Sequence, residues 1–220
     1  LPALTVLACV RMRRGEPDAD RLLGEALDLA RPTGEAQRLA PVVTAMAEAA
    51  WLRGDPAACV AALRHFDERH GTNVNPWAAG EIAAWYRRAD DHTAAVPTAS
   101  PRPWQLELQG DLVGAADAWQ ALGAPNEAAL ALLHAAQLAI HANHANHANH
   151  TNHDEAAALL IRALEIAEAI GATLARTRAR ELASSWPSNA DSSARSASIS
   201  DRKSSSSRPT ILTTSSRTCA

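Results

Sequence analysis

The chain has 220 residues, 47% hydrophobic and 4% aromatic, with a formal net charge of -3, which is enough apolar material for a buried core and excludes a chain disordered throughout. Its apolar content is mostly Ala and Leu, with six Trp among the few aromatics, a composition that suits close-packed helices better than β-layers. Residues 1–183 carry 16 basic and 22 acidic side chains and residues 184–220 carry five and two, so the apolar part lacks the basic balance of a nucleic-acid footprint.

The opening LPALTVLACVRMRR reads as a helix whose charges follow the apolar run, the reverse of a secretory signal. Leu1 stands inside that expected helix, so the sequence is read as a piece of something longer. RRGEPDADRLLGEAL (Arg13–Leu27) then predicts a helical hairpin, and LRGDPAACVAALRHF (Leu52–Phe66) and LQGDLVGAADAWQAL (Leu108–Leu122) repeat the pattern. In each, Gly supplies the left-handed conformation that ends one helix and an acidic residue caps the next. Pro17 and Pro56 fit a first helical turn, where no amide hydrogen is needed. Apolar residues follow at helical spacing: Ala19, Leu23 and Ala26 (one residue early), then Cys59, Leu63 and Phe66, then Ala115, Trp119 and Leu122.

Between the second and third hairpins, PWAAGEIAAWYRRAD predicts a helix with Trp77, Ile82 and Trp85 near one face, and DDHTAAVPTASPRP (Asp90–Pro103) a loop. The Trp residues are read as core rather than as a ligand-stacking surface. The longest apolar run, Ala128–Ile140, is broken by His134 and Gln137 and falls short of the roughly 20 residues that span a bilayer. HANHANHANHTNH (His141–His153) predicts a low-complexity loop. On a helix, a step of three would turn each histidine about 60° from the last, and Asn is a weak helix former. Such a tract can chelate a metal loosely, but no metal ligand is assigned to it. DEAAALLIRALEIAEAIG predicts a helix from Asp154 to Gly171 with Leu159, Leu160, Ala163, Ile166 and Ile170 facing inward, and TLARTRARELASSW a last one.

These elements predict an all-α fold of stacked antiparallel hairpins, a tetratricopeptide-like solenoid, although the spacings from Gly15 to Gly54 and from Gly54 to Gly110 exceed the strict repeat of about 34 residues. The expected organisation is 1–140 helical repeats, 141–153 the His/Asn loop, 154–185 a final hairpin and 186–220 a disordered Ser/Arg-rich tail.

Chemistry-bearing residues are scattered. Cys9, Cys59 and Cys219 are odd in number and lack C-x-x-C spacing, which points to packing thiols in a reducing cytoplasm rather than a disulfide framework. His65, His70, His92 and His134 have no partner spacing that predicts a triad, and Glu165 and Glu168 near Arg162 read as helix-surface groups. No catalytic, cofactor-binding or metal residue is assigned, and the expectation is a non-enzyme without cofactor, membrane span or small-molecule substrate.

The opening stretch to Asp55, together with GEIAAWYRRA, LQGDLVGAADAWQALGAPNEAALALL and LIRALEIAEAIGATLARTRAREL, resembles the helical-repeat arm of large bacterial LuxR-type transcriptional regulators that carry an ATPase module. The resemblance covers Leu1 to about Leu182 and implies a non-catalytic arm that binds protein partners or relays a signal between an ATPase and a DNA-binding helix-turn-helix. No G-x-x-x-x-G-K-[ST] occurs in the sequence and the sole lysine is Lys203, so this chain does not cradle ATP phosphates by that route. In the tail, Ser188, Asn189, Ala190, Arg195, Ile199, Ser200, Arg202, Ile211, Leu212 and Arg217 fall near the places of the family's DNA-binding region. Ser192, Ser196, Ser204 and Ser206 stand where that region's core needs apolar side chains, so the tail is not expected to read DNA. A frame-shifted origin and chance low complexity both remain open for it. The alternatives carried are a DNA-binding regulator with a functional tail and a His-rich metal-binding protein.

Overall fold

The Gly-acidic turns form hairpins. Helix α1 (Pro2–Arg14) ends at Gly15 (φ 72°), α3 (Ala36–Leu52) runs to Gly54 (φ 78°), and α6 (Arg102–Gln109) stops at Gly110 (φ 87°). The Asp55 side chain accepts from the Ala58 amide at 2.8 Å and so caps α4 (Pro56–His70), and Asp111 accepts from Gly114 at 2.9 Å to cap α7 (Leu112–Ala121). The first turn departs from expectation. Helix α2 (Ala19–Ala30) starts only after Asp18, Pro17 stands in the turn before it, and Glu16 and Asp18 pair with Arg11 instead of capping. The early set Ala19, Leu23 and Ala26 is nevertheless buried.

The computed structural model describes residues 1–70, 74–93, 96–145 and 150–185, and among them the regular structure is wholly helical. The remaining helices are α5 (Pro76–Arg88), α8 (Pro125–Ala145), α9 (His150–Ala169) and α10 (Thr173–Ser184). Leu1–Ser185 forms one compact unit, and Trp186–Ala220, where the Ser/Arg-rich tail was expected, lies outside the described residues. The long spacing from Gly54 to Gly110 is taken up by α5, which has no second helix of its own. Asp90 (φ 60°) is tolerated in the left-handed region as a short polar residue, and the described residues between it and α6, 91–93 and 96–101, are irregular.

Three further expectations are corrected. The expected loop 141–153 is largely helical at its edges: α8 continues through Ala145 and α9 begins at His150. Extending an existing helix needs no new nucleus, so weak formers can be carried along; residues 146–149 lie outside the described set. In α9 the inward stripe is Ala156, Leu160, Ala163, Leu164 and Ala167, whereas Ile170 is exposed. Trp77 and Leu122, expected in the packing stripes, are 47% and 60% exposed.

Consecutive helices pack side by side, and α3 also touches α1 and α5. The chain then returns on itself: α10 packs against α1, α3 and α8 as well as α9. Leu174 packs against the cluster of Ala8, Met12, Leu22 and Leu23, and a Cβ at Gly54 would stand 3.0 Å from the Arg178 guanidinium.

Candidate functional site

The polar groups of the interior follow three helical stripes. On α3, Thr44, Glu48 and Trp51 recur at i, i+4 and i+7 and are all buried; on α5 the set at the same spacing is Glu81, which is half-buried, with Trp85 and Arg88, both buried. Helix α8 brings Asn126, Glu127 and His134 against them.

At one end the Arg13 guanidinium grips Glu48 with two bonds, Nε to Oε1 at 2.8 Å and Nη2 to Oε2 at 2.9 Å, and reaches Glu127 at 3.3 Å. The Asn126 amide oxygen accepts from Arg13 Nε and Nη2, each at 3.2 Å. Burial alone would lower the Arg13 pKa, but Glu48 and Glu127 outweigh it and hold the group above the usual arginine value. Glu81 shares this region. Burial, reinforced by the charges of Glu48 and Glu127 and opposed by a hydrogen bond with Thr44, pushes its carboxyl up to about 7.

At the other end Arg88 and Glu107 form an ion pair with side chains 1% and 2% exposed, Nη2 lying 2.7 and 3.0 Å from the two carboxylate oxygens. Tryptophans enclose the pair. Trp119 Nε1 donates to Glu107 at 2.9 Å, the guanidinium sits 4.4 Å from the Trp85 ring centroid, and Trp104 meets Trp119 edge-on at 4.6 Å. Trp51 Nε1 donates to the Arg88 carbonyl at 2.8 Å. A Cβ at Gly80 would lie 2.8 Å from Trp104 Cβ, so only glycine lets α6 approach α5 this closely. His134 meets Trp51 at 6.4 Å with perpendicular rings; burial, and then the positive charge of Arg88, hold its pKa down at about 3, so the imidazole is neutral. The chemical capacity of this interior is to pair charges and to hold a proton at Glu81.

Of the residues weighed in the sequence, Cys59 is fully buried and Cys9 half-buried; burial pushes their thiols up to about 12 and about 11. These are packing thiols, far from the thiolate form that reacts. His70 stacks on Phe66 at 4.9 Å, and His92 is exposed beside Asp90 at 3.2 Å. His141 is exposed, and the side chains of His65 and of His144–His153 lie outside the described set. Arg162 reaches across to Asp117 and Gln120 on α7 rather than to Glu165 or Glu168, and Glu168 pairs with Arg180 at 3.6 Å. Among the described residues no group of three or more His, Cys, Asp or Glu converges to hold a metal ion.

Sequence reading missed Arg13, Glu48, Glu81, Arg88 and Glu107. The available signal was charge on otherwise apolar stripes, as in AMAEAAWL, where Glu48 sits a turn from Thr44 and Trp51. On the surface, a cleft of about 460 Å³ opens between the end of α1, the start of α8 and the α9–α10 turn, lined by Val10, Arg13, Arg14, Asn126, Glu127 and Ile170 among others. No helix of the described residues is long and apolar enough to cross a membrane. No family model matches the chain, and no curated protein or solved structure matches it either.

Proposed function

We propose that the chain is a non-catalytic, tetratricopeptide-like helical arm of a LuxR-type transcriptional regulator, working in the cytoplasm to bind protein partners or to pass a signal between an ATPase and a DNA-binding domain. The observation that carries this reading is the repeated hairpin turn, a left-handed glycine followed by a new helix with a buried stripe, at Gly15, Gly54 and Gly110. The charge-paired interior adds support: polar groups that must keep their partners hold neighbouring helices in one register, as a rigid relay requires.

The nucleotide sequence of the locus, read in all three frames, tests the origin. The reading expects a P-loop ATPase upstream and an intact helix-turn-helix downstream, in frame or one shift away. A locus with neither would remove the LuxR-type reading and leave the helical architecture unaffected.

A further inference from the structure

Several polar groups around the Arg88–Glu107 pair are buried without a protein partner. Arg88 gives Nη2 to Glu107, but its Nε and Nη1 meet no acceptor among the described residues. The indole nitrogens of Trp85 and Trp104 are in the same position, and so is His134 Nδ1. All four residues are more than nine-tenths buried.

These groups are neighbours. The guanidinium carbon of Arg88 lies 4.4 Å from the Trp85 ring centroid and 5.9 Å from that of Trp104, and its charge acts on His134. Two further buried indoles at the same pair behave differently: Trp51 Nε1 donates to the Arg88 carbonyl at 2.8 Å and Trp119 Nε1 to Glu107 at 2.9 Å. Two indoles are therefore bonded to protein and two are not.

A buried N–H without an acceptor costs its full desolvation, and folded interiors leave few such groups dry. Arg88 Nε offers one N–H, Nη1 two, and each indole one. Whatever meets them must accept hydrogen bonds, which a cation cannot do. It must also suit a guanidinium whose charge Glu107 already balances, and an anion would leave a net negative charge in an apolar interior. Neutral His134 adds a ring nitrogen that accepts or donates according to its tautomer. Water is neutral and does both, and one molecule with two bonds of about 2.9 Å spans separations of this order.

We propose that the seam between α5 and α6 is a binding site for structural water, which accepts hydrogen bonds from the Arg88 guanidinium and from the Trp85 and Trp104 indoles. The water completes the polar shell that Glu107 begins, and it ties Arg88 and Trp85 of α5 to Trp104 of α6. The site belongs to the interior and does not depend on the function or the origin proposed above.

The test is nuclear magnetic resonance of the full isotope-labelled chain, reading cross-peaks between the water line and the indole N–H protons, each assigned through its own ring and backbone. Trp85 and Trp104 are expected to show water cross-peaks of opposite sign in NOE and ROE spectra, which mark a long-lived bound water rather than proton exchange. Trp51 and Trp119, whose N–H groups are bonded to protein, should show them only weakly. No water cross-peaks at Trp85 and Trp104, or equal intensity at all four indoles, overturns the proposal. Bromide titration supplies a second arm. Unshifted Trp85 and Trp104 N–H resonances are expected, and a saturable shift of both would assign the site to a small anion and overturn the water.

Discussion

Arg88 shows how much a single interior charge depends on its surroundings. Removing one member of a buried pair strands the other, which costs about 3–5 kcal/mol, whereas replacing both with apolar groups is often nearly neutral. Arg88→Met is therefore expected to lower urea-unfolding stability by that amount, and Arg88→Met/Glu107→Gln, which removes the charge but keeps an acceptor for Trp119 Nε1, to recover most of it. A double variant no more stable than the single one would show that the pair is not coupled. The interior titrations act in opposite directions. His134, whose pKa falls from 6.5 to about 3 on folding, contributes stability that is fully present above 6.5 and is lost as the pH falls toward 3. His134→Phe should flatten that acid limb in a pH series of thermal melts. Glu81, raised from 4.5 to about 7, contributes stability present below 4.5 and lost as the pH rises through 7. Glu81→Gln should accordingly raise the melting temperature at pH values well above 7 and change it little near pH 4.

At the scale of the element, two glycines make opposite use of the missing side chain. A Cβ at Gly110 meets nothing within 4 Å, so Gly110→Ala pays only for the left-handed backbone, about 1–2 kcal/mol. Gly80 is within α5, where helix propensity alone would make alanine better by about 1 kcal/mol. Contact with Trp104 reverses that sign, and Gly80→Ala should be the more destabilising of the two in the same denaturation assay. The contrast also separates what the sequence made legible from what it did not. Gly15, Gly54 and Gly110, and the stripe Cys59, Leu63 and Phe66, could be read because turn chemistry and helical period are local properties. Leu122 could not: it stands at the C-terminal end of α7, where the stripe outlives the helix that would have buried it. In α9 the true stripe begins at Ala156, and Ile170 falls past the last packed turn. The buried charges were hidden for another reason. Arg88 is acceptable only because Glu107 and the surrounding indoles arrive from α6, α5 and α7, and no local pattern announces that meeting.

Across the whole described unit, the packing of α10 on α1 and α3 sets these helices apart from a simple open stack, in which each repeat touches only its neighbours. Hairpins joined only to neighbours can fray one after another, whereas ends that share a core must come apart together. Far-ultraviolet circular dichroism and tryptophan fluorescence are therefore expected to report coincident thermal transitions, and separated midpoints would contradict the closure. The joint of Leu174 with Met12 has a further consequence, in time rather than in stability. Bringing together segments 162 residues apart in sequence requires closing a very long loop, so the joint is expected to form late, after the hairpins. Leu174→Ala should then leave the refolding rate nearly unchanged while speeding unfolding, a one-sided chevron shift. In that sense the α1–α10 joint is a latch: it contributes little to how fast the array assembles and much to how long it stays shut.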